Sequence, residues 1–435
     1  MEYEKALSRY DYAELRIERS GESFISIKDD EVRHSSGSSE GIGVRVLIDG
    51  SWGFASCTSG RRSVDELLKG AERLARIGKG GIKIEPQALK KEVRDKVEPV
   101  EAELQVKSLI EAAAAMRADR VSSRILSCTD SLIRKEFYNS AGAEIIQESG
   151  YTYLSCACIA RSGDIIQRGS ERNWSKSGFG GIKTAETAIR ARDKALRLLD
   201  AAPPPKGRFT AIFDPEMTGV FSHEAVGHAC EADSVVDRES ILADKLGKRI
   251  GNELVTIIDD PSAPDFGHYS FDDEGVEARA VPLVENGVLK GYLHSMETAK
   301  ELGLAQNGHA RAEDYGTVPI VRMSNTYFQK GGSSEGDVFD ISSGIYLKGM
   351  KGGSVDIFSG GFMFKAEEAY EIKNGELGRI MRDATITGNI MQTLLDVECV
   401  GNDFGTSPGV CGKFSQQVPV SDGGPHIRVK NVAIG

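Results

Sequence analysis

The sequence predicts an α+β protein in two parts. An N-terminal α/β domain, a sheet with helices, spans residues 1–202. A β-rich domain carrying one conspicuous helix spans 207–435. Three observations predict this. At 435 residues the chain exceeds one ordinary core. The run Ala201-Ala202-Pro203-Pro204-Pro205-Lys206-Gly207 cannot continue a helix and favours a stiff spacer, which puts a linker at 203–206. After it, apart from one helix, the chain reads as short strands broken by glycine turns such as Gly352-Gly353 and Gly360-Gly361.

Taken in order, residues 13–18, 23–27 and 43–48 read as short strands, with 35–41 a Ser/Gly-rich turn. Residues 63–77 place Val64, Leu67, Leu68, Ala71, Leu74 and Ala75 at helical spacing behind Ser63, a natural N-cap. Residues 78–100 are charged and aperiodic, and are expected to cross the surface. A second helix with an alanine-rich face covers 102–120, strands return at 121–138, 144–150 and 151–161, and a third helix covers 182–200. Beyond the linker come a strand at 208–213, a turn at Asp214-Pro215 and the helix holding "FSHEAVGHACEAD", Phe221 to Asp233. Asn-Gly pairs at 286, 307 and 374 signal hairpins. Asp272-Asp273-Glu274-Gly275 reads as a solvated turn, with an acidic binding site as the alternative.

Composition narrows the function classes. A net charge of -11 argues against direct nucleic-acid binding, which needs clustered Lys and Arg. Seven cysteines without framework spacing indicate a reduced, cytoplasmic protein. Cys156 and Cys158 alternate in "YTYLSCACIA" and are expected in a core. No basic-then-apolar leader and no run of 18 apolar residues occurs, so no membrane partner is expected.

The chemistry concentrates at His223 and His228, five apart, with Glu224 after the first. On a regular α-helix, positions five apart diverge by roughly 140° and cannot share one ion. A single π-type turn adds one residue and returns them to one face. Gly227 has no Cβ to obstruct that widening, and Ala225, Gly227 and Ala229 would let an extended substrate strand come close. The competing reading is two unrelated histidines, one at the helix start and one against a sheet. A catalytic zinc needs a third protein ligand. Glu231, Asp233, a distant histidine or a cysteine would serve, and Cys411 stands out in the Gly/Pro-rich "GTSPGVCGKFSQQVPVSDGGP".

Several stretches taken together, and in order, are far more specific than any one. "HEAVGHACEAD", "FDDEGVEARAVPLVENGVLKGYLHS", "GHARAEDY", "DATITGN" and "CGKFSQQVPVSDGGP" resemble the TldD/PmbA metallopeptidases, once described as modulators of DNA gyrase. The resemblance implies zinc held by His223, His228 and Cys411, with Glu224 as general base. It implies the TldD branch, since the PmbA (TldE) branch has lost these residues. It further implies an α/β domain followed by a β-rich one, a dimer with a TldE/PmbA-type subunit or a second copy, and unfolded or extended peptides as substrates. The chain departs from the pattern at Ala229-Cys230, where many relatives have Gly and Leu. The expected function is therefore a zinc-dependent metallopeptidase. The alternatives are a non-catalytic regulatory subunit acting through a partner, or another metal-dependent amide hydrolase. Iron(II) would also suit the donor set.

Overall fold

The computed structural model describes residues 3–435 except 79, 83, 85, 87 and 96–100. Residues 12–175 build the first sheet from β1 (Tyr12–Lys28), β2 (Glu31–Ile48), β3 (Ser51–Thr58), β4 (Lys90–Arg94), β5 (Val121–Asn139), β6 (Glu144–Ser162) and β7 (Ile165–Ser175). Its order is β3-β2-β1-β5-β6-β4, and β7 also pairs with β6.

The strands are longer than expected. β1 and β2 form one antiparallel hairpin that turns at Asp29, φ 57°, with no break at 35–41. Gly21 and Gly37 sit in the ladder with open space where a Cβ would be. Residues 31–39 are exposed, so no core imposes apolar alternation there, and the main-chain ladder continues without that signal. Likewise 144–150 and 151–161 are one strand, the ladder passing through Gly150 opposite Leu132.

A single turn, α1 (Glu4–Leu7), precedes the sheet. α2 (Val64–Ala75) opens with the expected Ser63 cap: Glu66 N–H donates to Ser63 Oγ at 3.3 Å, and Ser63 N–H to Glu66 Oε2 at 2.8 Å. The helix lies on the sheet at Gly53, where a Cβ would stand 1.8 Å from the Ala71 carbonyl oxygen. Gly53→Ala should therefore push α2 away and destabilise this part by about 1–3 kcal/mol. The reading is a lower urea midpoint; an unchanged midpoint would contradict the close approach.

α3 (Ala102–Ala115) stops short of residue 120, where Arg120 takes φ 66° just ahead of β5. α3 and α4 (Thr184–Leu199) cover one face, packing Leu109, Ala112, Ala191 and Ala195 onto Cys128, Cys156 and Cys158. All seven cysteines are unbridged. The segment 78–100 falls partly outside the described residues.

From residue 207 two further large sheets form. One joins β8 (Gly207–Phe213) to Ser343–Asp356, Gly361–Lys373, Glu376–Met381, Thr385–Asn389, Val397–Val400 and Ile427–Ile434. The other has six strands, with Gly405–Lys413 at one edge beside Gln416–Gly424. The helix α5 (Pro215–Phe221) packs against strands of both sheets, Ser343–Asp356 and Gln416–Gly424. Asn286 and Asn374 make hairpin turns as expected, each with the following glycine at positive φ. Asn307 does not. Its side chain accepts from His294 N–H and donates to the Tyr292 carbonyl, holding a loop. Gly352-Gly353 lies inside a strand, opposite Lys365 and Phe364.

Asp272-Asp273-Glu274 is neither a solvated turn nor an open acidic site. Asp272 and Glu274 are buried, and the Asp273 side chain is only 10% exposed. Arg45 spans Glu14 (2.6 Å) and Glu274 (2.8 Å), and Lys135 meets Asp273 at 2.8 Å. Asp272 accepts backbone N–H groups of Glu274, Val276 and Ala310. The acidic run reads as surface only because its cationic partners lie more than a hundred residues away. Among the described residues no helix is long and apolar enough to cross a membrane.

Candidate metal centre

The site is built on a helix that changes pitch. Asp214 caps α5, accepting from Met217 N–H at 2.8 Å, and Pro215 follows at the first helical position. From Ser222 to Gly227 the backbone is π-helical, and His228–Cys230 closes as one 3₁₀ turn. Two local features favour the widening. Ser222 Oγ donates to the Thr218 carbonyl at 2.9 Å, a back-bond that bends helices. Gly227 admits Met323, whose sulfur lies 2.0 Å from where a Cβ would be.

The extra residue in the turn brings the two imidazoles together. Their ring centroids are 5.2 Å apart and their planes nearly perpendicular, at 87°. Cys411, on the edge strand, places Sγ 3.6 Å from His228 Nε2. One donor atom from each of His223, His228 and Cys411 lies within 4.8 Å of the others. Glu224 stands beside this group: its Oε2 is 3.9 Å from His228 Nε2, and its side chain is 36% exposed. His223 is only 4% exposed.

Glu231 and Asp233, candidate third ligands on spacing alone, sit elsewhere. Glu231 Oε2 is 2.9 Å from His228 Nδ1, on the far side of the ring from Cys411. Asp233 accepts two contacts from Lys413 Nζ, at 2.8 and 2.6 Å. Lys413 was absent from the sequence reading, although its position two residues after Cys411 on a strand puts both side chains on one face. Cys230 is fully buried, and burial pushes its thiol up.

Electrostatics make the Cys411 sulfur an anionic donor. Burial opposes ionisation of the Cys411 thiol, but His223 and His228 outweigh it and hold the pKa down at about 4. Burial likewise opposes charge on His228, yet Glu231 and Cys411 raise it well above the ordinary imidazole value. The donors fit zinc on three counts. A thiolate and two imidazoles are its preferred ligands, three protein ligands leave a position open, and His223 Nδ1 is buried without a hydrogen-bond partner.

A lowered thiol pKa means that the thiolate disappears only on acidification. In metal-stripped chain, the ultraviolet thiolate absorbance that Cys411→Ala removes should persist at neutral pH and fade toward about 4. Absorbance that grows in only near about 8.5, the ordinary thiol value, would contradict this.

Residues 13–77, 95–199 and 206–435 match domain 1, the central domain and the C-terminal domain described for PmbA/TldA metallopeptidases. A metalloprotease of Methanothermobacter thermautotrophicus is 41% identical over 437 aligned positions, covering 98% of this chain and 96% of that one. A Saccharolobus solfataricus protein named zinc metalloprotease TldD homolog is 32% identical over 98% of this chain and 96% of its own. The crystal structure of TldE from Thermococcus kodakarensis has a TM-score of 0.82 at 21% identity, covering 100% of this chain and 98% of that chain, and so shares its fold.

Proposed function

The chain belongs to the PmbA/TldD metallopeptidase family, and from that premise we propose that it is a zinc-dependent peptidase acting on unfolded or extended peptides. The observation that carries the reading is the gathering of His223, His228 and Cys411 across a π-helical turn with Glu224 alongside. In this reading the two imidazoles and the thiolate hold the ion. Zinc in such a site supplies a Lewis acid that acidifies water and polarises a carbonyl oxygen.

Glu224, partly open to solvent and next to the ligand group, accepts the attacking water's proton and delivers it to the departing amine nitrogen. The thiolate of Cys411 donates more charge than a third imidazole would, which moderates the Lewis acidity and favours a slower enzyme. Iron(II) satisfies the same donors. A purely regulatory subunit would have no use for a carboxylate in Glu224's position.

The Cys411 strand is a sheet edge, so its outer N–H and C=O groups can pair with an extended peptide whatever its sequence. Val410 and Phe414 on that strand and its turn are 56% and 74% exposed, available to a peptide or to a covering subunit. A second copy or a TldE-type subunit enclosing this edge would keep folded proteins out. Seven unbridged cysteines suit a reducing, cytoplasmic setting. The division at 203–206 into domains 1–202 and 207–435 belongs to the same proposal.

The test is cleavage of a reduced, alkylated polypeptide beside its folded parent, before and after chelation. Only the unfolded form should be cut, chelation should stop cleavage, and zinc should restore it. Undiminished cleavage by protein measured to be metal-free would overturn the reading.

A further inference from the structure

Behind His228 lies a set of charges that proton transfer by Glu224 does not use. Glu231, its side chain 2% exposed, sets Oε2 2.9 Å from His228 Nδ1. Lys413 Nζ stands 3.2 Å from that same oxygen, and it also donates to both oxygens of Asp233 and to the Val321 carbonyl at 3.1 Å. The Lys413 side chain is only 10% exposed. An ammonium group withdrawn from water is tolerated where carboxylates and carbonyls replace its hydration, as here.

Geometry ties this cluster to the ligand group. Cys411 and Lys413 leave the same face of one strand, two residues apart. One strand thus delivers a sulfur to one side of the His228 ring and a cation to the carboxylate on the other. An imidazole binds a metal through the nitrogen that carries no hydrogen, and an acceptor at Nδ1 keeps the hydrogen there. In the neutral ring Nε2, the nitrogen facing Cys411 at 3.6 Å, is then left with its lone pair.

We propose that Glu231 and Lys413 are positioning residues for the metal centre: Glu231 fixes the tautomer and orientation of His228, and Lys413 fixes Glu231. This rests on the reading of His223, His228 and Cys411 as the ligands. Without Lys413, the Glu231 and Asp233 carboxylates would face each other with no cation between them, and Glu231 would turn away from the ring.

The test measures zinc affinity of the full chain by competition with a chromophoric chelator, and the cobalt(II) ligand-field spectrum of the same proteins. Glu231→Gln and Lys413→Met should each bind zinc about 10- to 100-fold more weakly, with altered cobalt bands. Lys413→Arg should recover most of the loss, because it returns a cation to the two carboxylates. The pair Glu231→Gln with Lys413→Met should lose little more than either alone, since both act through one ring. Parental affinity in folded Glu231→Gln and Lys413→Met proteins would overturn the proposal, as would strictly additive losses. Should Lys413→Met not fold, Glu231→Gln, which preserves shape, decides alone. Failure of the parent chain to bind zinc would instead bring down the ligand assignment itself.

Discussion

Replacing Glu224 with glutamine should leave zinc bound and lower peptide turnover by roughly 10²- to 10⁴-fold, the range for losing a positioned general base. Glutamine keeps the size and most of the hydrogen bonding but cannot take a proton. Glu224 is the group to lose because of where it stands. Its carboxylate is 3.9 Å from His228 Nε2 and 36% exposed, whereas His223 and Cys411 are almost wholly enclosed. It is close enough to serve a reacting water and open enough to exchange protons with solvent. Zinc content and kcat on an unfolded peptide, measured on the same preparation, check the result. Parental turnover would remove Glu224 from the mechanism, and lost zinc would make it a ligand.

Replacing Cys411 with alanine should act in the opposite order, through the metal first and turnover second. The sulfur is the one anionic donor in the group, and its charge raises His223 and, together with Glu231, His228. A four-ligand zinc site is worth about 10–16 kcal/mol, so one ligand accounts for about 2.5–4 kcal/mol, a loss of about two to three powers of ten in affinity. Turnover at limiting zinc should fall by a similar factor and recover partly as zinc is raised. Glu224→Gln should show no such recovery. The contrast separates a residue that moves protons from one that holds charge. Unchanged affinity in the Cys411 variant would exclude the thiolate from the ligand set.

What could be read from the sequence followed how local each cause is. The Ser63 cap and the α2 stripe were legible because cap and helix lie within a few residues. The five-residue spacing of His223 and His228 was legible as a geometric problem, and the π-helical stretch at Ser222–Gly227 is the form its solution takes. Which residue stood third was not legible from spacing. Glu231, Asp233 and a distant histidine were eligible beside Cys411, which stood out only for its Gly/Pro-rich surroundings, and the family resemblance made the choice. Distance in sequence is the reason: Cys411 reaches the histidines only through the edge strand of a sheet assembled from residues 257–424. The acidic run at 272–274 misled for the same cause, since Arg45 and Lys135 neutralise it from another sheet. The outer half of β2 misled because an exposed ladder has no apolar period to display.

Zinc-edge X-ray absorption on the loaded full-length chain tests the proposed centre most directly, because it counts ligands without reference to activity. The first shell should contain one sulfur and two imidazoles, and the sulfur contribution should vanish in Cys411→Ala. A shell of nitrogen and oxygen alone in the parent chain, unaltered by that substitution, would contradict the assignment of His223, His228 and Cys411 as the metal centre.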